Sequence, residues 1–276
     1  MNRADVNGKI AVFDSGIGGV SVLAEIMRLL PHEDFLYFAD AANAPYGNKA
    51  AETLRPLIIE QAERLLSQGL KALVIACNTA TSVAVGNLRE LYPETPVLGI
   101  EPAIKPALEA TTGRILVLAT EVTVREQKLL DLISRLAAGR EIRLAACSGL
   151  MELIEADPAS IETERYLIKK VTEDGELPEA IVLGCTHYLF ARSLLEKNFP
   201  AMQVFDGNKG LARHLAKVLQ EKGLLKSNFL EQEKREELFP PFRGQMLWDN
   251  SFSGIRQTEY NKKCLQYLEI YRWQTS

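Results

Sequence analysis

The sequence predicts an α/β protein made of two similar domains, each built on a mainly parallel sheet. Three observations carry that expectation. Short β-branched runs alternate with longer helix-like segments from start to end, the pattern of βαβ units. The runs are apolar rather than alternating, which suits strands covered on both faces. The order of features also repeats. The strand entering Asp14 precedes Cys77 by 63 residues, and the strand entering Thr120 precedes Cys185 by 65. Matched order and spacing point to two α/β units that face each other, related by a pseudo-twofold.

In chain order, the predicted strands are Lys9–Phe13, Phe35–Phe38, Lys71–Ala76, Pro96–Ile100, Arg114–Ala119, Glu141–Ala146, Ala180–Gly184 and Met202–Phe205. Each is a short apolar run bounded by turn residues. Helical patterns fill the intervals, notably Ala50–Gln68, Thr123–Leu136 and Ala159–Glu173. After about Leu225 the character changes. A mixed charge run, Glu231 to Glu237, predicts a solvated helix, and Pro240-Pro241 a turn after it. From Glu259 to Trp273, Tyr260, Cys264, Tyr267, Leu268 and Tyr271 recur at helical spacing and predict a docked C-terminal helix.

Bulk properties narrow the function. A chain of 276 residues is long enough for about two domains. Its 47% hydrophobic and 25% charged residues are ordinary for a globular protein. The net charge of −4, with no basic stripe, argues against nucleic acid as a partner. Its apolar runs fall short of the ~18 residues a membrane span needs. The first eight residues lack the apolar core of a signal peptide, so a cytoplasmic protein is expected. The four cysteines form no C-x-x-C pair, and three histidines give no zinc-ligand spacing. Free thiols, and no metal, are expected.

Two of those cysteines stand at the ends of strand-like runs, in Cys77-Asn78-Thr79 and Cys185-Thr186-His187. Ligands of open parallel sheets bind at the carboxyl ends of the strands. A thiol at a strand-to-helix junction has its thiolate stabilised by backbone N–H groups and the helix dipole. Equally, Cys77 reads as a core cysteine, with Asn78 or Thr79 as helix N-cap. His187 is placed to relay protons to Cys185 or to favour its thiolate. Asp14-Ser15-Gly16-Ile17-Gly18-Gly19 is not the dinucleotide fingerprint G-x-G-x-x-G. Its Asp14 or Ser15 is expected to cap the next helix. Asp14 is also a candidate proton partner for Cys77, and Ser15 a donor to a carboxylate. The loop Asp40 to Gly47, with Pro45 and Tyr46, reads as a surface turn or as a flap over a small ligand. Thr120 and Thr123 form a hydroxyl pair at a helix N-terminus, suited to capping or to a carboxylate. Cys147 and Cys264 read as structural, His32 as a turn residue and His214 as a packing residue.

Together these motifs resemble the glutamate racemases of the aspartate/glutamate racemase superfamily. The matching segments are Asp14 to Gly19, Pro45-Tyr46-Gly47, Cys77-Asn78-Thr79, Thr120 with Thr123, and Gly184-Cys185-Thr186-His187-Tyr188. Five segments in the right order, from about Gly8 to about Leu225, make the resemblance specific. It implies a first domain of residues 1–100 plus 208–276, a second of 101–207, and an active site in the cleft between them. It implies L- and D-glutamate as substrates, a homodimer, no cofactor, and a supply of D-glutamate for peptidoglycan. Carried over by position, Cys77 takes the α-proton from D-glutamate and Cys185 from L-glutamate, assisted by Asp14 and His187. Ser15, Pro45, Tyr46, Gly47, Asn78, Thr79, Thr120, Thr123 and Thr186 line the substrate site, and Glu155 tunes the second cysteine. The chain departs from the family pattern at Leu189, Ser148 and Glu126. The lack of a long N-terminal extension predicts independence from a peptidoglycan-precursor activator.

The chemistry fits those residues. An amino-acid α-proton is far less acidic than a thiol, so charge developing at Cα must be stabilised by aimed donors. Each half-reaction needs one thiolate and one thiol, and a free cysteine near pKa ~8.5 is mostly thiol at neutral pH. Asp14 and His187 are suited to set those states. An aspartate or hydantoin racemase shares the two cysteines. A Cys/His hydrolase uses Cys185 and His187 and leaves Cys77 idle. Nothing in the sequence marks a gyrase-inhibiting role.

Overall fold

The computed structural model describes residues 5–137, 139–226 and 242–274. The charged run 231–237 and the Pro240-Pro241 turn lie outside the described residues. The chain divides into two compact units. One holds the residues up to Tyr46, Ala51–Ile100, and those from Asn208 onward; the other holds Gly47–Ala50 and Glu101–Gly207.

The first unit is a five-stranded, wholly parallel sheet in the order β4-β3-β1-β2-β9. Its strands are β1 Ile10–Asp14, β2 Phe35–Ala39, β3 Ala72–Ile75, β4 Val97–Gly99 and β9 Met246–Asn250. The helices are α1 Val20–Leu29, α2 Ala51–Leu66, α3 Asn78–Leu91, α10 Asn208–Glu221 and α11 Gly254–Gln274. Ile10, Val12, Phe13, Phe35, Phe38, Leu73 and Ile75 are fully buried. At about 1.5–3 kcal/mol for each fully buried large apolar side chain, these strands anchor the unit. Helix α11 packs against α1, where the buried Glu25 of α1 accepts a hydrogen bond from Tyr271 at 3.3 Å.

The second unit is a four-stranded parallel sheet in the order β6-β5-β7-β8. Its strands are β5 Ile115–Ala119, β6 Ile142–Ala146, β7 Ala180–Gly184 and β8 Gln203–Phe205. The helices are α4 Ile104–Ala110, α5 Glu121–Arg125, α6 Gln127–Leu136, α7 Leu150–Ala156, α8 Ile161–Thr172 and α9 Arg192–Asn198. Ile115, Val117 and Ala119 alternate to one face, where they form a core with Ile104, Ala107 and Leu129.

The four strands β1 to β4 have the same order as β5 to β8. In each set the second strand lies on one side of the first, and the third crosses to the other side. That reversal makes a topological switch point between β1 and β3, and again between β5 and β7. The internal correspondence suggested by the cysteine spacing is therefore a shared topology.

All eight expected strands form. Strand β9 is a ninth that the sequence reading missed. It is an edge strand, with Leu247 exposed and Trp248 and Asp249 half-buried, so it lacks the continuous apolar signature. The helix expected over Thr123–Leu136 is two helices, broken at Glu126, which is extended at φ −71°, ψ 131°. His214 is exposed, which corrects its assignment to packing. The buried face of α10 is built from Leu211, Ala212, Leu215, Ala216 and Leu219, and position 214 falls on the other side of the helix. Among the described residues, no helix is long and apolar enough to cross a membrane.

Candidate active site

The carboxyl edge of the first sheet gathers the first set of expected site residues. Asp14 ends β1, and Cys77 follows β3 with its sulfur 3.6 Å from the Ser15 hydroxyl. Cys77 is itself the N-cap of α3, and its sulfur accepts the Ala80 N–H at 3.5 Å. This corrects the expectation that Asn78 or Thr79 would cap. A sulfur that accepts a hydrogen bond at a helix N-terminus is better suited to carry negative charge. Asn78 and Thr79 form the first turn and are buried, and the Asn78 Oδ1 has no hydrogen-bond partner among the described residues.

Asp14 and Ser15 do not cap α1, whose N-cap is Gly19 with no side-chain hydrogen bond. The Asp14 carboxylate instead folds back to accept the Gly16 N–H at 2.8 Å. Gly19 is required for this fold-back, because a Cβ at that position would lie 2.5 Å from the Asp14 Cβ.

The loop after β2 is not a plain surface turn. Asp40 and Tyr46 are buried, and the Tyr46 hydroxyl donates to Asp40 Oδ2 at 2.5 Å. Burial, then the Asp40 carboxylate, push the phenol well above its ordinary range, so Tyr46 remains a neutral donor. Pro45 is half-buried beside it. Ser251, just beyond β9, accepts the Ala42 N–H at 2.8 Å and ties this loop to the missed strand.

The second sheet places the remaining residues. Thr120 is the N-cap of α5, and its Oγ1 accepts the Thr123 N–H at 3.2 Å. The two hydroxyls are 2.9 Å apart, and Thr123 is fully buried. Gly47 belongs to this unit, and a Cβ there would lie 2.9 Å from the Thr120 Cβ. Cys185 follows β7 and is the N-cap of a short 3-10 helix, Thr186–Ala191, with no capping hydrogen bond from its side chain.

Thr186 and His187 are buried. The His187 Nε2 lies 3.0 Å from Glu155 Oε1, and the ring is also hydrogen-bonded to the Cys185 side chain. Burial by itself favours the neutral ring. The hydrogen bonds and charges of Cys185 and Glu155 outweigh it and push the imidazole up to about 10. The ring is therefore a cation at neutral pH, held between Cys185 and Glu155.

Tyr188 and Tyr166 are residues the sequence reading missed as supports for this site. Their hydroxyls donate to the carbonyls of Cys147 and Ser148, at 3.2 and 2.8 Å. They pin the loop that launches α7, the helix carrying Glu155. For Tyr188, which is buried, the available signal is that a buried tyrosine hydroxyl needs a partner. Ser148, at a departure from the family pattern, hydrogen-bonds to Glu121 at the start of α5. Cys147 keeps a structural role: its thiol donates to the Ala145 carbonyl, and burial pushes it up to about 12. Cys264 is buried in α11. Among the described residues, no group of three His, Cys, Asp or Glu side chains is arranged to hold a metal ion.

Known proteins share this architecture. The Asp/Glu/Hydantoin racemase family profile matches residues 20–215. A glutamate racemase of Halothermothrix orenii is 42% identical over 219 residues, covering 78% of this chain and 86% of that protein. The crystal structure of glutamate racemase isoform RacE1 from Bacillus anthracis superposes with a TM-score of 0.81 at 26% identity, covering 95% of this chain and 94% of that one. Escherichia coli glutamate racemase, solved with L-glutamate and the activator UDP-MurNAc-ala, superposes with a TM-score of 0.77 at 29% identity, covering 96% of this chain and 95% of that one. The chain belongs to the Asp/Glu/Hydantoin racemase family and, within it, to the glutamate racemases.

Proposed function

We propose that this protein interconverts L- and D-glutamate by a two-base reaction, with Cys77 and Cys185 as the bases. The observation that carries the reading is the repeated topology. Each four-strand unit brings one cysteine to the carboxyl edge of its sheet, beside the switch point. Inversion at Cα needs one acid–base group for each face of the carbon, and each unit supplies one. Cys77 removes the proton from D-glutamate while Cys185 delivers one to the other face; L-glutamate reacts by the reverse steps. Asp14 exchanges protons with Cys77, and His187, held by Glu155, does so with Cys185.

The donors suit a bound amino acid. Ser15, Thr79, Thr120, Thr123 and Thr186 offer hydroxyls for the two carboxylates, where negative charge develops as the α-proton leaves. The Asn78 Oδ1, which has no partner among the described residues, suits the substrate ammonium. Pro45, Tyr46 and Gly47 shape the remaining wall. The reading extends to a cytoplasmic homodimer that makes D-glutamate for peptidoglycan, in keeping with the family.

Circular dichroism of L- and of D-glutamate incubated with the purified protein tests this. Both signals decay to zero, and in D2O the product carries deuterium at Cα. A signal that persists, or a Cα hydrogen retained through inversion, overturns the reading.

A further inference from the structure

Strand β2 reads Phe35-Leu36-Tyr37-Phe38-Ala39, and Tyr37 is its one polar side chain. It is fully buried, and its ring packs on Trp248 of the neighbouring strand at 5.3 Å between centroids. Phenylalanine would serve that packing equally well. The hydroxyl is the difference, and it donates to the Gly16 carbonyl at 2.6 Å. Gly16 is the residue whose N–H binds the Asp14 carboxylate. Both backbone groups of Gly16 are thus fixed, one by the proposed proton partner of Cys77 and one by Tyr37. Asp14 is held from its other end as well, where its carbonyl accepts the Asp40 N–H at 2.9 Å.

We infer that Tyr37 is a positioning residue for the Cys77 half-reaction. Its hydroxyl fixes the Asp14-Ser15-Gly16 turn and so sets the aim of the Asp14 carboxylate and the Ser15 hydroxyl, which lies 3.6 Å from the Cys77 sulfur. The inference rests on the racemase reading above. In Tyr37→Phe the ring stays and the Gly16 carbonyl loses its partner, so the turn drifts. Misplacement on the order of 1 Å costs up to about 100-fold in rate. A lost hydrogen bond that leaves the turn's other ties in place predicts a smaller fall, about tenfold in kcat.

The test uses the full-length protein. L- and D-glutamate differ by no free energy, so kcat/KM falls equally in both directions. The discriminating readout is the primary isotope effect with Cα-deuterated substrates. In Tyr37→Phe it rises for D-glutamate, whose proton goes to Cys77, and falls for L-glutamate. A purely structural role lowers thermal stability without splitting the two isotope effects.

Asp14→Asn keeps the acceptor for Gly16 and gives the second arm. Adding Tyr37→Phe to Asp14→Asn costs less than Tyr37→Phe costs alone, because Tyr37 acts in part through Asp14. A Tyr37→Phe enzyme with parental rates and isotope effects overturns the inference, as does full additivity with Asp14→Asn. A parent protein that does not racemise glutamate overturns the functional reading itself. An active parent with an indifferent variant overturns only the role of Tyr37.

Discussion

The two thiol settings share a strand-end position and differ in everything around it. Cys77 opens a 14-residue α-helix and caps it with its own sulfur. Cys185 opens a 3-10 helix of 6 residues, and its sulfur makes no capping hydrogen bond. Negative charge on Cys77 is supported by the Ala80 N–H at the start of its own helix. On Cys185 it is supported by a histidine cation that a glutamate holds in place. The first device is built into the backbone and does not titrate; the second depends on a proton. One fold unit, used twice, thus presents a strand-end thiol with two kinds of electrostatic support.

The largest expected effect tests whether both halves are needed. Cys77→Ala and Cys185→Ala each lower racemisation by about 1,000-fold or more, toward the upper end of what a positioned acid–base group contributes. Both retain D-glutamate binding by calorimetry. Full activity in either variant would break the comparison at its root.

Next is Gly19→Ala, which disturbs only the Cys77 side. The added methyl must displace Asp14, and a fall of about 100-fold in kcat is expected from such misplacement. Unchanged kinetics would remove Asp14 from the first half-site.

Glu155→Gln sharpens the Cys185 side. It removes one of the two partners that raise His187, so the ring's pKa falls from about 10 toward its ordinary 6.5. Proton NMR of the ring reads this directly, and kcat falls by about tenfold at neutral pH, the low end for weakened acid–base assistance. The sign of the linkage follows from the raised value. The stability that His187 contributes is fully present below pH 6.5 and is lost as pH rises through about 10. Urea unfolding of the parent and His187→Asn should therefore differ most at acidic to neutral pH and converge above pH 10. Convergence at low pH would reverse the assignment.

The smallest effect is Thr120→Val. It removes the N-cap of α5 and costs about 1 kcal/mol of stability in urea titration. A cost near zero would show that Thr120 serves the site without supporting the helix.

Much of this was legible in the chain. Apolar runs bounded by turn residues marked eight strands, because buried parallel strands leave an uninterrupted apolar signature. The cysteine motifs and their spacing marked both strand ends. Strand β9 was not legible, because Asp249 and Asn250 cut its apolar run to three residues. The donors and acceptors that hold the site were also hidden. Asp14 looked like a helix cap by local spacing, yet its carboxylate is taken by Gly16, two residues on. Tyr37 was only one position in a predicted strand, and only the approach of β1 shows where its hydroxyl goes.

The sequence by itself determined the fold class, the family, and the two strand-end cysteines that the proposed reaction uses. Those follow from local apolar pattern and from residue order, which a single chain displays. Only the tertiary structure decided that the Cys77 sulfur caps its own helix, that His187 is a cation between Cys185 and Glu155, and that Tyr37 braces the Asp14 turn. Each depends on groups brought within hydrogen-bond reach by folding, and on burial that raises the strength of such contacts. Neither can be read from spacing along the chain.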